Sequence, residues 1–242
     1  MNKMEVSHYI GFDIGGTKTR AILWHKGKIL KKVEIPTPAS PKNLKKQLLD
    51  ITEKIKPKNG DFKVSVGAAG TIKNNSLLSA PNMQQIKNVN FRKVFPSDIP
   101  VLADNDARCF LRYEIFTQNK IKDKRVFGLT IGTGIGRALA ENGKIKVIKS
   151  FERPEKWEKE YQEIRSSKNY GNLSDFLSLK IIYLINKYNP EIIFLGGGLI
   201  NSKKFLNIFK SRLKKLGIKS IIAESKNNKY AGAVGAVLNY FS

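Results

Sequence analysis

Gly11-Phe12-Asp13-Ile14-Gly15-Gly16-Thr17-Lys18-Thr19-Arg20-Ala21-Ile22-Leu23 has an echo in the same chain, Gly128-Leu129-Thr130-Ile131-Gly132-Thr133-Gly134-Ile135-Gly136-Arg137-Ala138-Leu139. Each copy runs from a short apolar strand into a turn rich in Gly and Thr, then into Arg-Ala. Each leaves through an apolar segment to a reverse turn followed by Lys-Ile, at His25-Lys26-Gly27-Lys28-Ile29 and Glu141-Asn142-Gly143-Lys144-Ile145. From opening glycine to closing isoleucine the copies differ in length by one residue. A repeat this long is unlike a solenoid unit and suits a duplicated domain. Two Gly-rich strand turns, one per half, can hold one polyphosphate from both sides.

Glycine lets the backbone approach a ligand, and consecutive N–H groups in such a turn make an anion-binding concavity. A P-loop needs Gly-x4-Gly-Lys-Ser/Thr leading into a helix. Gly11 to Lys18 misses that spacing by one residue, and the β-type residues after Arg20 surround a Gly turn, which reads as a hairpin. Gly132-x-Gly134-x-Gly136 likewise misses the dinucleotide fingerprint, and Asn142-Gly143 is a type I′ hairpin turn. A phosphate-binding hairpin in each half remains, with Gly15, Gly16, Thr17 and Lys18 in one and Gly132, Thr133 and Gly134 in the other. Plain tight turns are the alternative for either copy alone; the pair argues against it. Asp13, at a strand end, can hold Mg²⁺ directly or through water, as hard cations prefer. Lys18 can meet phosphate as a point charge or be an ordinary solvated lysine.

The 242 residues, 41% hydrophobic, suffice for one large or two modest domains with a real core. No apolar run approaches the roughly 18 residues of a membrane span, and residues 1–8 lack a signal-peptide core, so a cytoplasmic protein is expected. The one cysteine, Cys109, excludes an internal disulfide and a multi-cysteine zinc site, and its helical surroundings read as core. The net charge of +24 could mark nucleic-acid binding. However, lysine outnumbers arginine, Asn and Ile are also plentiful as AT-rich codons would produce, and the lysines are scattered. A polynucleotide partner is therefore disfavoured, while weak attraction for anions such as ATP follows from the charge.

Along the first half a strand at 9–12 and a hairpin over 19–35 precede a helix from Pro41 to about Ile55, with Ser40 as its cap. Strands at 62–66 and 99–103 follow, the second running into Asp104-Asn105-Asp106-Ala107, which opens a helix; capping is the plain alternative for Asp106, but Asp104 can cap and leave Asp106 free. The second half repeats the hairpin and reads as charged and irregular from Ser150 to Asn169. A helix to Tyr188, a strand at 191–195 delivering Gly196-Gly197-Gly198, a helix capped by Ser202 and a last helix over 230–240 complete it. In that last helix Gly232, Gly235 and Ala236 permit close packing. Alternation of strands and helices argues an α/β protein with mixed sheets.

Together these motifs resemble the ROK sugar kinases, within the actin-like, hexokinase-type ATPases. The matching segments are Asp13-Ile-Gly-Gly-Thr-Lys-Thr, Gly67-Ala-Ala-Gly-Thr-Ile, Pro81-Asn82-Met83, Asp104-Asn105-Asp106-Ala107, Ile131-Gly-Thr-Gly-Ile-Gly, Leu195-Gly-Gly-Gly-Leu and Gly232-Ala-Val-Gly-Ala. Each is weak singly; their order and spacing are specific. The resemblance implies two ribonuclease H-like (actin-like ATPase) α/β domains with mixed sheets around an interdomain cleft. The sugar-side lobe would be residues 1–107 plus 230–242, the nucleotide-side lobe 108–229. It also implies ATP and Mg²⁺ on the two hairpins, room for the nucleotide at Gly196, Gly197 and Gly198, and a sugar acceptor met by Gly70, Asn82, Asn105 and Asp106. Asp106 would be the general base of phosphoryl transfer to a sugar hydroxyl, on a hexose or N-acetylhexosamine. A homodimer stays open.

The chain also departs from that family. Typical members carry Gly-Glu-x-Gly-His followed by a His/Cys₃ zinc site; here residues 150–161 hold no histidine and no zinc ligand follows. Ungapped counting from Gly143-Lys144 sets Glu155 and Glu158 at the two sugar-ligand positions, although a solvated helix face explains them equally well. The family's long helical insertion before the Gly-Gly-Gly strand is mostly missing. The rival is a nucleotide- or sugar-sensing protein that has lost turnover, supported by the altered segment and opposed by Asp106 and both hairpins. A ROK-type repressor would carry a helix-turn-helix ahead of Asp13, for which residues 1–12 leave no room. An activator-type ATPase sharing the Gly-Gly-Thr-Lys-Thr turn is disfavoured by Pro81-Asn82 and Asn105-Asp106.

Overall fold

In the computed structural model, which describes residues 8–83, 85–225 and 229–242, the chain forms two compact units. The first comprises residues 1–113 and 229–242 and the second residues 114–228.

The first unit holds β1 (His8–Ile14), β2 (Lys18–His25), β3 (Lys28–Pro36), α1 (Pro41–Ile55), β4 (Phe62–Ala68), β5 (Thr71–Lys73), β6 (Ser76–Ser79), β7 (Val89–Asn90), β8 (Val101–Asn105) and most of α2 (Asp106–Thr117). Its main sheet has the order β3-β2-β1-β4-β8, antiparallel in the hairpins and parallel from β1 outward. Strands β5, β6 and β7 make a small separate sheet. Alternation along β1 sends Ile10, Phe12 and Ile14 to one face, where Leu44, Leu48, Ile51 and Ile55 of α1 cover them. That spacing is one helical stripe. The Ser40 hydroxyl accepts from Asn43 N–H at 3.2 Å and starts α1 as expected.

The second unit holds β9 (Val126–Ile131), β10 (Ile135–Glu141), β11 (Lys144–Lys146), α3 (Glu158–Ser166), α4 (Tyr170–Tyr188), β12 (Ile192–Gly196), α5 (Lys203–Lys215) and β13 (Ile221–Glu224). Its sheet order, β11-β10-β9-β12-β13, repeats that of the first unit strand for strand. The duplication legible in the sequence is thus a duplication of topology. Both hairpins close through two residues of positive φ, Lys26 and Gly27 (44° and 83°) and Asn142 and Gly143 (51° and 73°). That is the type I′ geometry. Helix α4 ends at Asn189 in the left-handed conformation, before Pro190. Ser202 caps α5 as expected.

One expectation fails here. Residues 158–166, read as irregular, form α3. Trp157, Tyr161 and Ile164 recur at helical spacing and pack on the second core, a stripe hidden among charged neighbours.

The chain returns to the first unit as α6 (Ala231–Val237), covering the sheet face opposite α1 through Tyr9, Ile22, Trp24 and Val237. A Cβ on Gly235 would sit 1.8 Å from the Cys109 carbonyl, so α6 and α2 meet backbone to backbone. Cys109 is fully buried there, and burial pushes its thiol far up. Among the described residues no helix is long and apolar enough to cross a membrane.

Candidate active site

The first Gly-rich turn joins Ile14 to Thr19, which face each other across the hairpin. Two of its carbonyls are taken by one residue. Thr37, just past β3, donates its hydroxyl to Gly15 O at 2.8 Å and its N–H to Thr17 O at 3.0 Å. Thr17 and Lys18 are exposed. Lys18 is not free: it donates to Glu34 at 2.8 Å, and Arg20 bonds the other oxygen of Glu34 at 2.8 Å. Arg20 also lies 3.6 Å from the Asp13 carboxylate. Burial lifts the Asp13 carboxyl to about 6 against that guanidinium. Gly232 of α6 makes room for it, since a Cβ there would stand 2.7 Å from Asp13 Cγ.

Strand β8 delivers Asp104-Asn105-Asp106 to the start of α2. The expected cap is corrected: Asn105 Oδ1, not Asp104, accepts from Ala107 N–H at 3.0 Å. Asp104 instead receives Arg108 at 2.6 Å and Arg112 at 2.7 Å. Burial works to raise the Asp104 carboxyl, but the two guanidiniums hold it below its ordinary value. Asn105 is buried and its amide donates to Gly70 O at 3.0 Å, joining two of the expected acceptor-side residues. Asp106, the first residue of α2, is partly exposed. Burial and the Asp13 charge lift its carboxyl to about 6, against backbone N–H bonds and Arg108. Asn82 is exposed beside the first turn; a Cβ on Gly16 would come within 3.1 Å of its carbonyl. Asp13, Gly16, Asn82 and Gly232 thus meet around one turn, and Asp13 couples electrostatically to Asp106.

In the second unit the turn from Ile131 to Ile135 is one residue shorter. Gly132, Thr133 and Gly134 stand against the loop after β12. A Cβ on Gly132 would lie 3.7 Å from Gly198 N, and Gly197, at φ 91°, has no space for a Cβ beside Ile131 O. The two glycine groups expected on the nucleotide side therefore form one surface, with Gly196 closing β12. Helix α3 packs against this turn: the Tyr161 hydroxyl donates to Gly132 O at 2.6 Å and the Gln162 amide donates to Thr133 O.

Glu155 and Glu158 have a different setting from the one counted for them. Arg137, its side chain 1% exposed, donates to Glu155 at 2.8 Å and to Glu158 at 2.5 Å. Glu155 also accepts from Trp157 Nε1 at 2.8 Å and from the Tyr183 hydroxyl; Glu158 accepts from Glu155 N–H at 3.0 Å. Burial holds the Glu158 carboxyl above its ordinary value despite Arg137. The pair serves a buried cation, and neither carboxylate is a solvated helix face.

Arg137, Thr37, Tyr161 and Gln162 have no counterpart among the sequence candidates. The Arg-Ala shared by both copies marked Arg20 and Arg137 without showing that they differ. Both lie six residues after the isoleucine that closes the strand. The turn lengths differ, so Arg20 pairs with Asp13 while Arg137 pairs with Leu129. A one-residue shift puts a side chain on the opposite face. Arg20 thus stands beside Asp13, and Arg137 enters the core.

Two units of one strand order, each a mixed sheet with a Gly-rich hairpin turn, define an α/β protein of duplicated topology. The family model described as the ROK family matches residues 9–147, and the chain belongs to that family. It is 25% identical to a β-glucoside kinase of Listeria monocytogenes over 95% of this chain and 96% of that protein. That alignment runs over 286 residues against a chain of 242, so the relative carries segments this chain lacks. An N-acetyl-D-glucosamine kinase of Escherichia coli is 31% identical over 59% of this chain and 49% of its own length. In fold the chain resembles a ROK family glucokinase from Streptomyces griseus, solved in complex with glucose and AMPPNP. The TM-score is 0.77 and the identity 18%, covering 95% of this chain and 97% of that one.

Proposed function

We propose that the protein is a cytoplasmic ATP-dependent sugar kinase acting on a hydroxyl of a hexose or N-acetylhexosamine. Its relatives' names support the reaction class. The observation that carries the reading is Asp106: a carboxylate on the first turn of α2, directly after β8, lifted to about 6. A base poised near the working pH can be ionised at rest and still accept a proton.

In this reading Asp106 takes the proton of the sugar hydroxyl as that oxygen bonds to the γ-phosphorus. The bond to the β,γ-bridging oxygen breaks and ADP leaves. The product is a sugar phosphate. Gly132, Thr133, Gly134 and the 196–198 loop receive the nucleotide, and Gly15, Gly16, Thr17 and Lys18 receive phosphate. Lys18 exchanges Glu34 for a phosphate oxygen to do so. Gly70, Asn82 and Asn105 shape the acceptor side with Asp106. Glu155 and Glu158 are assigned to Arg137 instead.

Asp13 fits a hard cation: Gly232 sets no side chain against its carboxylate on the α6 side, and the neighbouring Asp106 carboxylate adds negative potential. Among the described residues no three His, Cys, Asp or Glu side chains gather to hold a metal, so Mg²⁺ would arrive with the nucleotide and be held by Asp13 and phosphate oxygens. When bound, it neutralises charge on the transferring phosphoryl group.

The test is ADP release with MgATP across hexoses, N-acetylhexosamines and β-glucosides. Sugar-dependent release is expected. ATP binding without release for any acceptor would transfer the reading to a sensor.

A further inference from the structure

We infer that α3 is a positioning clamp for the phosphoryl donor, with Tyr161 and Gln162 fixing the peptide planes of the second Gly-rich turn so that its N–H groups face the phosphates. The inference rests on the proposed nucleotide role of that turn.

The geometry follows from the peptide unit. In a trans peptide the C=O and the N–H point in opposite directions, and the described residues hold no cis bond. The Gly132 carbonyl shares its plane with Thr133 N–H, and the Thr133 carbonyl shares its plane with Gly134 N–H. Tyr161 and Gln162 take those two carbonyls from the α3 side. Two consecutive N–H groups are thereby turned away from α3, the arrangement that binds an anionic oxygen. The turn braces itself once more through Gly132 N–H to Gly134 O at 3.0 Å.

The first unit supports this assignment by doing the same with other means. There Thr37 takes the Gly15 and Thr17 carbonyls. It can do so because β3 extends to Pro36, opposite Lys18. In the second unit β11 ends at Lys146, opposite Leu139, and stops short of the turn. Helix α3 fills that vacancy. Its start is fixed by Arg137, bound to Glu158 on the helix and to Glu155 just before it, and Tyr161 is fully buried. Burial pushes the Tyr161 phenol up to about 12, so it remains a donor at neutral pH. The segment 150–166 therefore acts on the phosphate turn.

The test uses the full chain with Tyr161→Phe and Gln162→Glu, the second nearly isosteric and only part-buried. Calorimetry with MgATP and with adenosine separates phosphate grip from base binding. Each variant is expected to weaken MgATP on the order of fivefold to tenfold, as loss of one such hydrogen bond does, while adenosine affinity and the thermal midpoint change little. Gln162→Asn, which keeps the amide, should recover part of the loss. Unchanged MgATP affinity in both folded variants, or equal loss for adenosine, would overturn the clamp and leave the kinase reading standing. Wild-type protein that binds no MgATP would overturn both.

Discussion

The Asp13 charge raises the cost of ionising Asp106: burial lifts both carboxyls to about 6, and the Asp13 charge adds to the rise at Asp106. The folded protein thus holds these protons more tightly than the unfolded chain does. Stability from such a pair is fully present below the ordinary carboxylate pKa near 4 and is lost as pH rises through about 6. Ionised at neutral pH, the pair costs folding stability.

Asp106→Asn should therefore stabilise the protein at pH 7.5, by about 2 kcal/mol, and make little difference at pH 4. Urea titrations of both proteins at the two pH values check this. A variant less stable than wild type at pH 7.5 would contradict the burial argument.

The same coupling fixes the direction of the pH–rate profile. Activity should rise with pH through about 6, where Asp106 ionises, and level off above it. Asp13→Asn removes the charge that contributes to the rise at Asp106, so the midpoint of the acid limb should move to lower pH by about half a unit or more. The midpoint is the readout, because the height of the profile also reports on cation binding.

Arg137 is the buried charge of the second unit, shared between two carboxylates. Arg137→Met leaves Glu155 and Glu158 without their cation and should cost about 3–5 kcal/mol in urea unfolding. The triple change Arg137→Met, Glu155→Gln, Glu158→Gln should recover much of that. Were the single variant as stable as wild type, the cluster would contribute nothing to holding α3.

Gly235→Ala places a Cβ 1.8 Å from the Cys109 carbonyl, forcing α6 off α2. We expect a loss of about 3 kcal/mol, read as a lower thermal midpoint. The neighbouring Ser65 hydroxyl, bonded to Ala236 O at 2.5 Å, holds α6 to the sheet at the same level and leaves it little freedom to relax.

The hairpins, the caps Ser40 and Ser202 and the strand alternation are legible in the sequence because each depends on residues close together in the chain. The glycine groups at 132–134 and 196–198 are legible as motifs, but their meeting depends on β12 pairing with β9. What escapes a linear reading is register. Equal spacing from Ile14 to Arg20 and from Ile131 to Arg137 hides two turn lengths and hence opposite faces. Helix α3 escapes because its apolar stripe, Trp157, Tyr161 and Ile164, is set among seven charged residues between Glu155 and Arg165. Asp104 reads as a cap because nothing nearby shows that Arg108 and Arg112 will turn back to it.

The most direct test of the central claim is single-turnover transfer from γ-labelled ATP to the best sugar of the panel, wild type beside Asp106→Asn. We predict labelled sugar phosphate from wild type and a rate reduced at least 10²-fold, on the order of a lost general base, in a variant that still binds MgATP. Equal transfer rates in the two proteins would remove Asp106 from the chemistry and contradict the account.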